Sequence, residues 1–432
     1  MANLPLAKIP GHVGAQSKEE LEKNTVTVLL EEVIRNLTVQ PEETKAPVEP
    51  RPGEVIFRGT FEEVNQYFYA KKYSEGLPIV PPTVEKVRQF LKFTDRSPDE
   101  VIGIFLPDKR EATVWNVAVN GVMAGCRPEY MPVLLAIVEA MADPKYAIEH
   151  SGNTPGSDTL ITINGPIIKE LGFNYTQGVL RDGFQANTSV GRFLRLILRN
   201  VAGFLLHETD MATYGNTWRV VEAENEDVVK KLGWVPLSVD RGFKSGDNVV
   251  TIARHVGGSA FSNVAGSAEE MLSFIADNLE RMVGLWAVYL FTVSPNGCTE
   301  MPHVIITPVI AQVLSKAGYS KQGVKKYLYD HARIPAWKIE RGWKRLQRPY
   351  GPTVCDVVKQ GYVPKHFCDS TDPGRMLPVV CSPEDIVVTV SGDPLRNNAY
   401  IFVSNGYLGY TTSRKIQLPP NWENLLQDAK KK

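Results

Sequence analysis

The chain has 432 residues, 43% of them hydrophobic and 22% charged, with 48 Lys+Arg balanced by 48 Asp+Glu. A formal net charge of zero excludes the overall field that steers a protein onto nucleic acid or an anionic membrane. No apolar run reaches membrane-spanning length and no signal-peptide h-region stands near the start, so the expected location is the cytoplasm; five scattered cysteines without CxxC argue likewise for a reducing compartment and against a disulfide framework.

Residues 1–54 read as an extension. The stretch LEKNTVTVLLEEVIRNL (21–37) fits one amphipathic helix, or a strand and a short helix. The stretch PEETKAPVEPRPGE (41–54) is an extended, proline-rich spacer. An apolar segment ahead of such a spacer predicts an arm that reaches another subunit, hence a homo-oligomer. The folded body is expected in two parts, an α/β domain over 55–290 and a second α/β part over 291–432.

In the body, Thr60 with Glu63 forms a capping box opening a helix. The prolines of GLPIVPPT (76–83) keep that piece off a central strand. Thr83 opens the next helix, and VIGIFLP (101–107) reads as a strand. The stretch Asn116–Met141 predicts two apolar helices meeting at a corner, with Gly125 ending the first and Pro128 starting the second. Cys126 and Arg127 then lie at a helix N-terminus that favours an anion, and the thiol is expected to have a lowered pKa. Asn120 is a polar group at the same corner. The competing reading of Cys126 is a small buried packing residue.

The strand TLITINGP (159–166) runs into the helix IIKELG, placing Asn164 at a strand end where open α/β sheets hold ligands. A helix over 190–204 follows; its Arg192, Arg195 and Arg199 stripe reads as a solvated or inter-subunit face. The segment 205–219 crowds His207, Glu208, Asp210 and Arg219 into a loop with turn signals. The strand VVTIA (249–253) is expected to end in a polar loop, Arg254 to Asn263, that carries His255. Ser267 and Glu270 cap the helix after it. A further strand leads to Asn296, Gly297 and Cys298, and VIITP (304–308) leads past His303 into another helix. The echo of ITINGP-IIKELG in this unit predicts two related α/β halves, although any two βα units share such punctuation. Residues 349–380 are polar and proline-rich. The spacing His366-Phe-Cys368 does not define a zinc site, and no metal is expected. Two strands separated by a Gly-Asp-Pro turn precede the C-terminus.

The motifs GLPIVPPT (76–83), VAVNGVMAGCRPEYMPVLLAIVEA (117–140) and KKYLYDHARIP (325–335), with DMATYG and VTVSGDP, resemble a bacterial family without a settled activity. Some of its members are joined to a UGSC module, a short thiol or selenol redox segment. The resemblance covers most of 60–410 and leaves out the N-terminal 54 residues. It implies a shared α/β body and a small-molecule site. This chain has no CGSC or UGSC sequence, so the module's redox residues do not carry over.

The chain lacks GxGxxG after a strand, Walker A, GxSxG, HExxH and an EF-hand loop. What remains is a set of polar loops at strand ends. The expected fold is α/β, with mixed, largely parallel sheets covered by helices. Gathered loops would bring together Cys126, His207, Glu208, His255 and His303 for thiol or acid–base chemistry. Arg127, Asn120, Asn164, Asp210, Arg219, Asn263, Asn296 and Cys298 are the expected substrate contacts. The expected function is an enzyme acting on a small polar molecule as a lyase, hydrolase or thiol redox catalyst. Its cofactor is unspecified, and neither nucleic acid nor membrane is a partner. The alternative is a non-catalytic cofactor-binding or structural subunit.

Overall fold

The computed structural model describes residues 6–39, 51–216, 220–262, 264–284, 301–345, 353–404 and 409–431. The chain divides between Ile56 and Phe57 into two compact units.

In the first unit, Ser17 and Glu20 form a capping box that opens a helical stretch from Lys18 to Thr38, with a π-helical turn at Thr25–Leu29. One helix therefore replaces the alternative of a strand and a short helix. Val26, Leu30, Ile34 and Leu37 recur at three- and four-residue spacing and are all exposed, which leaves an uncovered apolar stripe. Most of the 41–54 spacer lies outside the described residues.

In the second unit, helices begin at the expected caps. Thr60 with Glu63 and Ser267 with Glu270 form complete capping boxes, and the Thr83 hydroxyl accepts from the Lys86 amide. The strands are β1 (Val101–Phe105), β2 (Arg110–Thr113), β3 (Asp158–Asn164), β4 (Val221–Ala223) and β5 (Val249–Phe261). They continue as β6 (His303–Ile306), β7 (Arg333–Pro335), β8 (Met376–Pro378), β9 (Val387–Val390), β10 (Ala399–Ser404) and β11 (Thr412–Lys415). Pairs β1–β2 and β7–β8 are small antiparallel ribbons.

The remaining strands form one seven-stranded mixed sheet in the order β4-β3-β5-β10-β6-β9, with β11 also on β5. The α/β class is as expected, but the sheet is not largely parallel. Among the described strands of this sheet only β3–β4 and β6–β9 are parallel, each joined by a helical crossover. The pairs β3–β5, β5–β10, β10–β6 and β11–β5 are antiparallel. The series β3, β4, β5 has the same pattern as β6, β9, β10: a parallel pair, then an antiparallel strand on the far side of the first. The two series meet at β5–β10, so the echo between the βα units has a topological counterpart. Strands from both expected parts, 55–290 and 291–432, lie in this one sheet, and β11 of the second part pairs β5 of the first.

Side chains alternate along each strand. Ile161, Ile163, Val221, Ala223, Val250 and Ile252 face outward into a core that includes the helices Val114–Met123, Met131–Met141 and Gln185–Asn200. Val304, Ile306, Val388, Val390, Ile401 and Val403 belong to a second core with the helices Ala268–Val283, Pro308–Lys316 and Lys321–His331. Leu160, Ile305 and Phe402 form a separate small cluster on the inner face.

The sheet curls until its outer strands touch. The Asn225 amide donates to the Val390 carbonyl at 2.7 Å, and the Ser391 hydroxyl donates to the Ala223 carbonyl at 2.8 Å. The inner face is thereby enclosed and filled by side chains, as in a small barrel.

Two local expectations change. The strand expected to stop at Ala253 continues to Phe261, so His255 lies in a strand and not in a loop. Tyr400 explains the glycine there: a Cβ on Gly258 would sit 2.6 Å from the Tyr400 ring. The polar 349–380 region contains the helix Val354–Lys359 and a disulfide between Cys355 and Cys368, with Cα atoms 5.0 Å apart. That bridge overturns the expectation against disulfides and removes the ground it gave for a reducing compartment. The odd total misled because unpaired Cys126 coexists with bridged cysteines, Cys355 with Cys368 and Cys381, which is disulfide-bonded as well.

Candidate functional site

The enclosed inner face holds a cluster of buried polar groups on five strands. Glu222 comes from β4, Thr162 from β3, His255 from β5, His303 from β6 and Thr389 from β9, and all are buried. The Thr162 hydroxyl donates to Glu222 Oε2 at 3.0 Å, and the Thr389 hydroxyl donates to Glu222 Oε1 at 2.5 Å. His303 Nε2 lies 2.8 Å from Thr389 Oγ1 and 3.3 Å from Glu222 Oε2. Two hydrogen bonds, Thr389 to Glu222 and His303 to Thr389, and the close approach of His303 to Glu222 therefore join the two halves of the sheet in a triangle.

Burial dominates the electrostatics. It pushes the Glu222 carboxyl up to about 7, and nearby Glu224 adds to the shift; the hydrogen bonds from Thr389 and Thr162 oppose it. Burial also holds His303 well below its usual range, helped by His255, Lys321 and Lys325. At neutral pH the triangle thus pairs a neutral imidazole with a carboxyl near its midpoint.

The His255 ring centroid lies 6.3 Å from that of His303 and 5.2 Å from that of Phe402. His255 is fully buried, and neither ring nitrogen has a hydrogen-bond partner among the described residues. Burial drives its pKa down to about 3, with the Val403 backbone opposing the shift.

A second polar cluster adjoins the first. The Asn164 amide donates to Glu224 Oε2 at 2.7 Å and to Glu226 Oε1 at 2.9 Å, and the Leu237 amide also donates to Glu224. Lys321 Nζ lies 3.5 Å from Glu224 and 3.1 Å from Asp240, and Lys325 Nζ lies 3.2 Å from the same Asp240 oxygen. Burial lowers the Lys325 pKa, with Asp240 opposing.

Of the expected site residues, the structure brings His255 and His303 together and sets Asn164 in the adjoining cluster. It takes Cys126 out. The corner itself is as expected: the helix Val114–Met123 ends before Gly125 at φ +79°, Pro128 opens a 3-10 turn, and Met131–Met141 follows. Yet Cys126 is buried in the apolar core, and burial pushes its thiol up to about 12, against the lowering expected. The Ser189 hydroxyl and the Arg192 charge oppose that shift without overcoming it. Arg127 pairs instead with buried Glu129 at 2.7 Å and lies over the Tyr130 ring. Asn120 links helices, accepting from Asn200 at 2.8 Å.

His207 and Glu208 are exposed, with Glu208 paired to Lys72, and Asp210 caps its own turn by accepting from the Ala212 amide. Among its described residues that loop packs at Gly152 and Thr154 through backbone hydrogen bonds, from the Met211 amide to the Gly152 carbonyl and from the Thr213 amide to the Thr154 carbonyl. The arginine stripe, expected to be solvated or between subunits, is instead used within the chain. Arg192 pairs with Glu75 at 2.5 Å, Arg195 with Asp158 at 3.4 Å, and Arg199 donates to the Lys72 carbonyl at 3.0 Å. Arg219, Asn263, Asn296 and Cys298 lie outside the described residues.

The sequence reading missed Glu222, Thr389, Glu224, Lys321, Lys325 and Asp240. A signal did exist for two of them: Glu222 and Glu224 alternate with apolar residues in VVEAE (220–224), which puts two carboxylates on one face of a buried strand. The chain matches no protein-family model, no curated protein and no solved structure.

Proposed function

We propose that the chain is an enzyme acting on a small polar molecule by acid–base chemistry, with Glu222 and His303 as the proton-transferring pair. The observation that carries this reading is the buried His255 imidazole, whose ring nitrogens have no hydrogen-bond partner among the described residues, near His303, which in turn approaches a carboxyl held near neutrality. A buried polar group left unpaired costs stability, and a bound polar molecule would supply the missing hydrogen bond. Glu222 and His303 exchange the proton with the molecule, Thr389 holds the carboxyl in register, and His255 orients the molecule. With the Cys126 thiol so strongly raised, proton transfer takes precedence over the thiol chemistry first expected. Glu222, His303 and His255 are sealed from solvent, so substrate entry requires an opening of the curled sheet.

The second reading is a structural or cofactor-binding subunit. It is favoured by the triangle's own hydrogen bonds, which close without any added group. One experiment separates the two. Small carboxylic acids, amides and polyols are titrated against the wild type and His255→Phe, following the histidine ring protons by NMR. The enzyme reading expects at least one compound to shift the His255 and His303 signals, with binding lost in His255→Phe although that variant is equally or more stable. Failure of every compound to bind supports the structural reading.

The same proposal retains the resemblance to the UGSC-associated bacterial family, the cytoplasmic location and a homo-oligomer joined through the N-terminal helix. The exposed Val26, Leu30, Ile34 and Leu37 stripe supports an oligomer. Among the described residues no helix is long and apolar enough to cross a membrane, and with Cys355 and Cys368 bridged the cysteine count no longer bears on the compartment.

A further inference from the structure

The disulfide region presents a second chemistry, independent of the inner face. Thr353 caps the short helix that carries Cys355, and the 3-10 turn Lys365–Cys368 brings Cys368 back to it. The two sulfurs differ in surroundings. Cys355 is buried and Cys368 is half-buried. Arg375 Nη2 lies 3.6 Å from Cys355 Sγ. The guanidinium is fixed in place: Nε donates to the Phe367 carbonyl at 3.2 Å and Nη1 to the Asp372 carbonyl at 2.9 Å. Glu340 Oε1, 3.5 Å from Nη2, offsets part of its charge. Beside Cys368 stand exposed Lys365 and His366, with His366 Nε2 2.7 Å from the Tyr329 hydroxyl and exposed Asp369 next in the chain.

We propose that Cys355–Cys368 is a thiol-exchange site for external dithiols, with Cys368 as the sulfur attacked and Cys355 as the leaving thiolate. An incoming thiolate forms a new S–S bond to Cys368 Sγ as the Cys355–Cys368 bond breaks. The electron pair leaves on Cys355 Sγ, where the Arg375 charge stabilises it. The second sulfur of the dithiol loses its proton to water and attacks the mixed disulfide. Cys368 is released as a thiolate and takes a proton from water. The dithiol ends as a disulfide and the protein as two thiols. A leaving sulfur departs faster the lower its pKa, so the pinned arginine sets the direction of cleavage.

The test uses the full chain with reduced glutathione and with dithiothreitol. After brief exposure to glutathione, acid quenching, maleimide alkylation and peptide mapping, glutathione is expected on Cys368 and maleimide on Cys355. With dithiothreitol, Arg375→Met is expected to exchange roughly threefold more slowly, the effect of raising a leaving thiol by about one pKa unit with a sensitivity of about 0.5. A variant that merely loosened the loop would exchange faster, so the sign distinguishes the two effects. In the reduced chain, the pH dependence of Cys355 alkylation should give a pKa that rises in Arg375→Met, because that variant removes the nearby positive charge. Glutathione on Cys355, faster exchange in Arg375→Met, or exchange only on unfolding overturns the proposal.

Discussion

His303 Nε2 lies 3.3 Å from Glu222 Oε2, although the two residues come from different halves of the sheet and stand 81 positions apart in the chain. Strand β4 presents the carboxyl and β6 the imidazole, and the curl of the sheet brings them together. The pair carries opposed pH dependences. Glu222 has a raised pKa in the fold, so its contribution to stability is complete below about 4.5 and is lost as pH rises through about 7. His255 and His303 have depressed pKa values, so theirs is present above about 6.5 and is lost as pH falls.

Replacing Glu222 with Gln removes one side of this balance. Relative to the wild type, Glu222→Gln should gain stability as pH rises from 4.5 to 7, by on the order of 3 kcal/mol. Urea unfolding across that range measures the difference. A constant offset between the two proteins would mean that Glu222 titrates normally in the fold.

Cys126 should behave as core. With its thiol near 12, the thiolate fraction at pH 7 is roughly 10⁻⁵, against a few per cent for a free thiol. Iodoacetamide should label it only as the chain unfolds, and Arg127→Met should leave that rate unchanged while destabilising the fold by stranding Glu129. Rapid labelling of Cys126 in the native chain would restore the nucleophile reading and its expected partners.

Gly258 is a point of close approach between β5 and β10. A valine there would press on the Tyr400 ring at 2.6 Å and on the Ile401 carbonyl at 3.1 Å. Overpacking of this kind costs about 1–3 kcal/mol. Gly257→Ala, where no atom lies within 4 Å of the added carbon, is the control and should cost much less. Equal losses at both positions would argue that strand flexibility, not the approach of Tyr400, is what the glycines supply.

The N-terminal helix should join subunits. Deleting residues 1–56 is expected to lower the mass measured by light scattering, because Val26, Leu30, Ile34 and Leu37 have no cover within their own unit. An unchanged mass would place the oligomer contact elsewhere or show a monomer.

Local signals made much of the fold legible. Thr60, Thr83 and Ser267 cap helices because their hydroxyls satisfy amides three residues on, and that depends on sequence neighbours alone. The Gly125–Pro128 corner was legible for the same reason. The direction of β5 was not, since its pairing with β3 and β10 is set by distant segments. The site was legible only in part. His255 and His303 were legible as polar residues next to apolar strands, although His255 was expected in a loop, but Thr389 gains its meaning only when β9 meets β4. Cys126 misled because a local rule, a thiol at a helix start beside an arginine, was overruled by tertiary burial.

The most direct measurement is the titration of the Glu222 carboxyl itself. Isotope-edited infrared difference spectra, wild type minus Glu222→Gln, follow its protonated C=O band as a function of pH. A midpoint near 7 is the result this account predicts. A midpoint near the ordinary 4.5 would contradict it, leaving an ionised glutamate at neutral pH and no proton shared with His303.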